Sequence, residues 1–309
     1  MRRLLALVAA IAAAAVMSPA AQANAAAGEI VEVTGFGSDP GDLRMLRAVP
    51  EGLPAGAPIV VALHGCTQNG TDYGTDTGWL SLANERGFAL VLPEQRAGNN
   101  LNGCFNWFES GDTGNGGGEA ESIAQMVART VADTGADPAR VYVTGLSAGG
   151  AMTAAMLAAY PDVFAGGAVV AGLPFGCATS AVQAFTCMNP GTDKTPAQWG
   201  DLVRAAGSGT GASVAVWHGD ADYTVAVANQ RELADQWTDV RGVAPEPTGS
   251  DTVAGFPHEV YGEAVETYRI TGMGHGQPVD PAGGCGTAAA FVLDVGLCAA
   301  GRMADTWAL

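Results

Sequence analysis

The chain has 309 residues, 48% hydrophobic and only 15% charged, with 31 acidic against 14 basic residues and a formal net charge of −17. Disorder is excluded, because a hydrophobic chain of this length can bury roughly three-quarters of its unfolded surface. Nucleic acid and anionic membrane surfaces are excluded as partners. Both need clustered Lys and Arg, and the one basic run is Arg2-Arg3.

That pair opens a targeting segment over residues 1–25. An apolar run from Leu4 to Met17 follows it, and small residues then offer A-x-A cleavage sites ending at Ala23 and Ala25. A membrane anchor needs about 20 apolar residues; this run is shorter, and Ser18-Pro19 interrupts it. The expectation is a signal peptide, an extracellular product, and no membrane association once the leader is removed. Residues 26–309 show no internal repeat and no Pro/Ser/Thr-rich linker, so they are expected to form one catalytic-sized domain, acting as a monomer.

Within that domain, segments 30–34 and 43–49 flank a Gly-Ser-Asp-Pro-Gly turn and read as an antiparallel hairpin. Apolar strand-like runs follow at 59–63, 88–92, 141–144, 168–171 and 214–217. Helical patterns lie among them at 79–85, 119–133, 148–159 and 226–237, and in the second of these Ile123, Met126, Val127 and Val131 share one face. A last strand pair is read at 258–261 and 265–271. Short buried strands alternating with helices predict an α/β fold, a mostly parallel sheet covered by helices on both faces.

Export also decides how the cysteines are read. Cys66, Cys104, Cys177, Cys187, Cys285 and Cys298 are even in number and face an oxidising compartment, which points to disulfides. Loop closure favours neighbours, Cys177 with Cys187 and Cys285 with Cys298, leaving Cys66 with Cys104. A zinc site is disfavoured, since the chain has no C-x-x-C, no H-x-x-x-H and only 4 His. The Gly-rich stretch 114–118 lacks the Lys-Ser/Thr of a phosphate loop and leads into a helix. No metal or organic cofactor is implied.

The most informative motif is Val-Tyr-Val-Thr-Gly-Leu-Ser-Ala-Gly-Gly at 141–150. A β-branched strand meets the pattern G-x-S-x-G and turns into a helix, which predicts a nucleophile elbow with Ser147 at its apex. In α/β-hydrolases the triad runs Ser, acid, His along the chain. His275, in a Gly-flanked loop after the last strand, is therefore the candidate base, with His258 as the fallback; His64 and His218 come too early. The acid should leave the end of a late strand, and both Asp222 and Asp220 follow the one at 214–217. Asp222 is preferred because it lies deeper in the loop. An oxyanion hole needs two N–H donors; Ala148 follows the nucleophile, and Cys66 lies in the loop after an early strand.

The segments Leu-His-Gly-Cys-Thr-Gln (63–68), Cys-Phe-Asn-Trp-Phe (104–108), Gly-Leu-Ser-Ala-Gly-Gly (145–150), Trp-His-Gly-Asp-Ala-Asp-Tyr-Thr-Val (217–225) and Gly-His-Gly (274–276) together resemble one family. They are similar to the extracellular poly(3-hydroxybutyrate) depolymerase family of esterases, a group that includes feruloyl and acetylxylan esterases. The likeness spans roughly residues 45 to 300. It implies an α/β-hydrolase fold, the triad Ser147, Asp222 and His275, and oxyanion donors at Cys66 and Ala148. Trp107, with Phe105 beside it, resembles the family's aromatic substrate platform. Many polymer-degrading members carry a linker and a binding domain after the catalytic one, whereas this sequence stops at Leu309, so oligomers or plant-wall esters are expected as substrates beside solid polyester. The expected function is a secreted serine esterase acting on a hydroxyalkanoate polyester or its oligomers. The alternatives are a feruloyl or acetylxylan esterase, or a secreted non-catalytic binding protein on the same scaffold.

Overall fold

The computed structural model describes residues 28–207 and 211–309; the leader read at residues 1–25 lies outside them. The main strands are β1 (Val31–Val33), β2 (Arg44–Ala48), β3 (Ile59–Leu63), β4 (Ala89–Glu94), β5 (Val141–Leu146), β6 (Gly166–Val170), β7 (Ser213–Gly219), β8 (Gly249–Val253), β9 (Phe256–Tyr261) and β10 (Val265–Ile270). They form one sheet in the order β1-β2-β4-β3-β5-β6-β7-β10-β9-β8. From β4 to β10 every neighbouring pair is parallel. Antiparallel strands close both edges, β1 and β2 on one side, β9 and β8 on the other. A short parallel ribbon, β11 (Gln277–Val279) with β12 (Val292–Asp294), stands apart.

The helices are α1 (Gly70–Asp76), α2 (Trp79–Arg86), α3 (Ser110–Thr113), α4 (Gly118–Thr134), α5 (Ala148–Ala159), α6 (Ala181–Met188), α7 (Pro196–Ala206), α8 (Ala228–Arg241) and α9 (Ala299–Thr306). Side chains along a strand alternate between faces. In β3, Ile59, Val61 and Leu63 accordingly enter one core while Val60 and Ala62 enter the other. The first core also takes in α4, α5 and α8, and the second α2 and α9. All of α5 is buried, as suits a helix that is apolar all round. None of the helices is long and apolar enough to cross a membrane, among the described residues.

The parallel core, the N-terminal antiparallel pair and the α5 boundaries match the sequence reading; α1, α3, α6, α7, α9, β8, β11 and β12 have no counterpart in it. Strand β8 is Gly-Ser-Asp-Thr-Val and mostly exposed, so it carries no apolar alternation to read. The reading placed the helix after β7 at 226–237, and α8 instead starts at Ala228 and continues to Arg241, where Gly242 in the left-handed region ends it. Cys66 is joined to Cys104, Cys177 to Cys187 and Cys285 to Cys298.

Trp307 fastens the C-terminus to the second core. It is 6% exposed and stacks on Trp79 at 5.9 Å and on Tyr142 at 4.9 Å between ring centroids. Trp307→Ala is expected to cost about 3–5 kcal/mol. Urea unfolding of the two proteins checks this; an unchanged midpoint contradicts the packing role.

Candidate active site

Each candidate group follows the carboxyl end of a parallel strand, where ligands gather in open α/β sheets. Ser147 follows β5, Asp222 follows β7, His275 follows β10 and Cys66 follows β3. In the sheet, β3 adjoins β5, while β7 and β10 lie two and three strands away on its other side. Residues distant in sequence are thereby brought to one edge.

Ser147 has φ 59° and ψ −116°, a region that costs a non-glycine residue on the order of 1–3 kcal/mol. Its backbone N–H is anchored to the Val170 carbonyl at 2.9 Å. Although Ser147 occupies the N-cap of α5, its side chain makes no capping hydrogen bond. The two motif glycines explain how so tight a turn fits. A Cβ on Gly149 would overlap the Leu63 carbonyl, and one on Gly145 would overlap the Gly149 carbonyl. Glycine at both positions lets α5 drop directly onto the end of β3.

His275 Nδ1 donates to Asp222 Oδ2 at 2.7 Å. The other carboxylate oxygen accepts the N–H groups of Thr224 at 2.8 Å and Val225 at 2.9 Å. Burial opposes ionisation of Asp222. Hydrogen bonds from His218 and His275, the charge of His275 and the Val225 N–H outweigh it and hold the carboxyl well below the usual carboxylate range. Asp220 has a different task. It accepts the Gly272 N–H at 2.7 Å, tying the loop that carries His275 to the end of β7.

The other histidines have both ring nitrogens engaged, or none free to face solvent. His64 Nε2 accepts the Gln95 N–H at 3.1 Å, so Nδ1 donates to the Gly65 carbonyl at 2.8 Å; burial lowers its pKa. His258, the fallback base, lies between Asp251 at 2.7 Å and Glu266 at 3.2 Å, on the antiparallel edge. His218 is fully buried, and its Nε2 donates to the Val225 carbonyl at 2.9 Å. No cluster of three or more His, Cys, Asp or Glu able to hold a metal ion occurs among the described residues.

The loop after β3 is held on several sides. Gly65 donates to Gln68 Oε1 at 2.8 Å, Thr67 donates to the Asn102 carbonyl at 2.8 Å, and Cys66 is bonded to Cys104. Among the described residues neither the Cys66 N–H nor the Ala148 N–H has an acceptor. Phe105, expected beside a substrate, is instead fully buried against His64, 4.9 Å between ring centroids. Trp107 is also largely buried, edge-on to Phe108. The exposed aromatic rings here belong to Tyr223, beside Asp222, and to Phe291, beside His275. Nothing in their local sequence singles them out; one lies in a loop and the other in an Ala-rich run.

Glu119, at the start of α4, is fully buried. It accepts the Asn106 N–H at 2.8 Å and the Gln95 side-chain amide at 2.5 Å, linking Cys104–Phe108 to the end of β4, where the Gln95 N–H in turn donates to His64.

A parallel sheet whose central strand ends in a strained serine, with an imidazole–carboxylate pair farther along the same edge, defines a serine hydrolase of the α/β-hydrolase fold. The chain belongs to the family described as esterase PHB depolymerase, whose model matches residues 47–260, and it is a carboxylic ester hydrolase. It is 56% identical over 280 residues to poly(3-hydroxyalkanoate) depolymerase C of Paucimonas lemoignei, covering 87% of this chain and 67% of that protein. Feruloyl esterase B of Talaromyces stipitatus is 34% identical over 267 residues, covering 82% of this chain and 74% of that one. Among solved structures, an acetyl xylan esterase from Aspergillus awamori superposes with a TM-score of 0.75 at 31% identity, covering 80% of this chain and 94% of that chain.

Glu119 gives the site a titration signature. Burial pushes its pKa from the ordinary 4.5 up to about 8, against the hydrogen bonds from Asn106 and Gln95. The folded protein keeps a proton that the unfolded chain has lost, so this contribution to stability is present below 4.5 and fades as pH rises toward 8. Between about pH 5 and pH 8 the wild type should lose stability relative to Glu119→Gln, which cannot titrate there. Thermal unfolding of both proteins across that range measures it, and parallel curves contradict it.

Proposed function

We propose that the protein is exported by its leader and acts as an extracellular serine esterase on hydroxyalkanoate polyester or its oligomers. Ser147 is the nucleophile, His275 the base, Asp222 the acid partner, and the Cys66 and Ala148 amides the oxyanion donors. The observation that carries this reading is the 2.7 Å hydrogen bond between His275 Nδ1 and Asp222 Oδ2. It fixes the imidazole tautomer, leaving Nε2 as the proton acceptor.

In the first step Nε2 takes the Ser147 proton as Oγ attacks the ester carbonyl, and the oxyanion rests between the two amides. Collapse breaks the bond to the alcohol, which leaves with the proton held by His275. In the second step His275 deprotonates a water that attacks the acyl-enzyme, releasing the acid and restoring Ser147. Asp222 stabilises the imidazolium and stays ionised, consistent with its depressed pKa.

The polyester assignment is supported by the 56% identity to a relative named a poly(3-hydroxyalkanoate) depolymerase. A plant-wall esterase is the second reading, favoured by the structural likeness to an acetyl xylan esterase at TM-score 0.75. Release of hydroxyacids from a poly(3-hydroxybutyrate) film, set against release of acetate or ferulate from xylan, separates them. Hydroxyacid release is expected; acetate or ferulate alone overturns the polyester assignment.

Ser147→Ala should lower kcat by a factor on the order of 10⁶, and Asp222→Asn by a factor on the order of 10⁴. Steady-state kinetics on a soluble ester checks both. Residual activity within a factor of about ten of wild type in either variant contradicts the assigned role.

A further inference from the structure

Phe291 carries three features that the reaction as described does not use. Its φ is 61°, a left-handed backbone conformation in which a bulky aromatic residue is an outlier. Its ring is 41% exposed. And that ring meets the His275 imidazole edge-on, with centroids 6.0 Å apart and planes inclined at 73°.

The strained conformation is over-determined by its surroundings. Ala289 and Val292 exchange backbone hydrogen bonds of 3.0 and 3.1 Å across Ala290 and Phe291, which closes a tight turn. The Phe291 carbonyl accepts the Gln277 N–H at 2.9 Å, two residues past His275. Gly276, between those two, packs so closely that a Cβ there would lie 2.8 Å from the same carbonyl. Beyond the turn, β12 pairs with β11, and the Cys285–Cys298 disulfide closes the segment. Gln68 completes the brace. Its Nε2 donates to the Ala290 carbonyl at 3.1 Å while its Oε1 accepts the Gly65 N–H at 2.8 Å. One side chain thus links the turn bearing Phe291 to the loop bearing the Cys66 amide.

An apolar ring held half in water by a costly backbone gains nothing for the fold that glycine would not supply more cheaply. Strain maintained this way is spent on presenting the ring at the site. We propose that Phe291 is a specificity-determining residue, forming an apolar wall for the alcohol portion of the ester. The side follows from the chemistry. His275 hands its proton to the departing alcohol oxygen, so a ring packed against that imidazole borders the leaving group rather than the acyl chain. Gln68 acts as a positioning residue that keeps this wall in register with the oxyanion loop. The inference rests on His275 being the base, as in the function proposed above.

The test uses the whole protein and two ester series. Ethyl, butyl and benzyl acetate vary the alcohol; ethyl acetate, butyrate and hexanoate vary the acyl group. Phe291→Gly suits a φ of 61°, so the backbone is relieved and the fold is retained, which circular dichroism verifies. The benzyl-to-ethyl ratio of kcat/KM in the acetate series should fall about tenfold, mainly through KM, and Phe291→Tyr should restore it. The hexanoate-to-acetate ratio should move by less than about twofold. Gln68→Ala, which loosens the turn without removing the ring, should lower the benzyl-to-ethyl ratio in the same direction. An unchanged benzyl-to-ethyl ratio, an equal loss on every ester, or a change confined to the acyl series overturns the proposal. If the wild type cleaves neither series any faster than Ser147→Ala, the esterase mechanism itself fails, and this inference with it.

Discussion

The structure depends on holding one serine in a backbone conformation it would not choose. At φ 59° and ψ −116°, Ser147 is displaced from every favoured region for an L-residue. Glycines at 145 and 149 let the turn close against β3, and the bond from Ser147 N–H to Val170 fixes it to β6. Helix α5, buried along its whole length, anchors the turn from behind. A turn this constrained cannot relax when a substrate arrives. The geometry is established by folding, and its cost is distributed over the best-packed part of the sheet.

The rest of the site is a set of loops pinned in the same manner, each by a polar group with a single evident task. Asp222 orients His275, whereas Asp220, two residues earlier, ties the loop that carries it. Buried Glu119 joins the Asn106 backbone to Gln95, and Gln95 in turn fixes His64. The disulfides tie the Cys66 loop to Cys104, join Cys177 to Cys187 of α6, and close the segment that carries Phe291. Low charge in the interior leaves these hydrogen bonds strong, because the surrounding dielectric is low.

Much of this was legible in the chain. Apolar runs revealed the parallel strands, since strands buried on both faces must be apolar throughout, and G-x-S-x-G after such a strand located Ser147. What escaped was set by tertiary contact. Phe105 and Trp107 look like candidates in the segment Cys-Phe-Asn-Trp-Phe, yet both are buried, whereas Tyr223 and Phe291, next to Asp222 and His275, are exposed. No periodicity distinguishes an aromatic that lines a site from one that fills a core. Gln68 and Asp220 were unreadable as braces for the same reason: their partners, Ala290 and Gly272, lie far along the chain.

The central claim is that Ser147 becomes acylated. Its most direct test is mass spectrometry of the intact protein after brief exposure to a reactive phosphonate ester, followed by peptide mapping. The account predicts one stoichiometric adduct on the peptide bearing Ser147, lost in Ser147→Ala and slowed in His275→Gln. No adduct, or an adduct carried by another residue while ester hydrolysis persists, would contradict it.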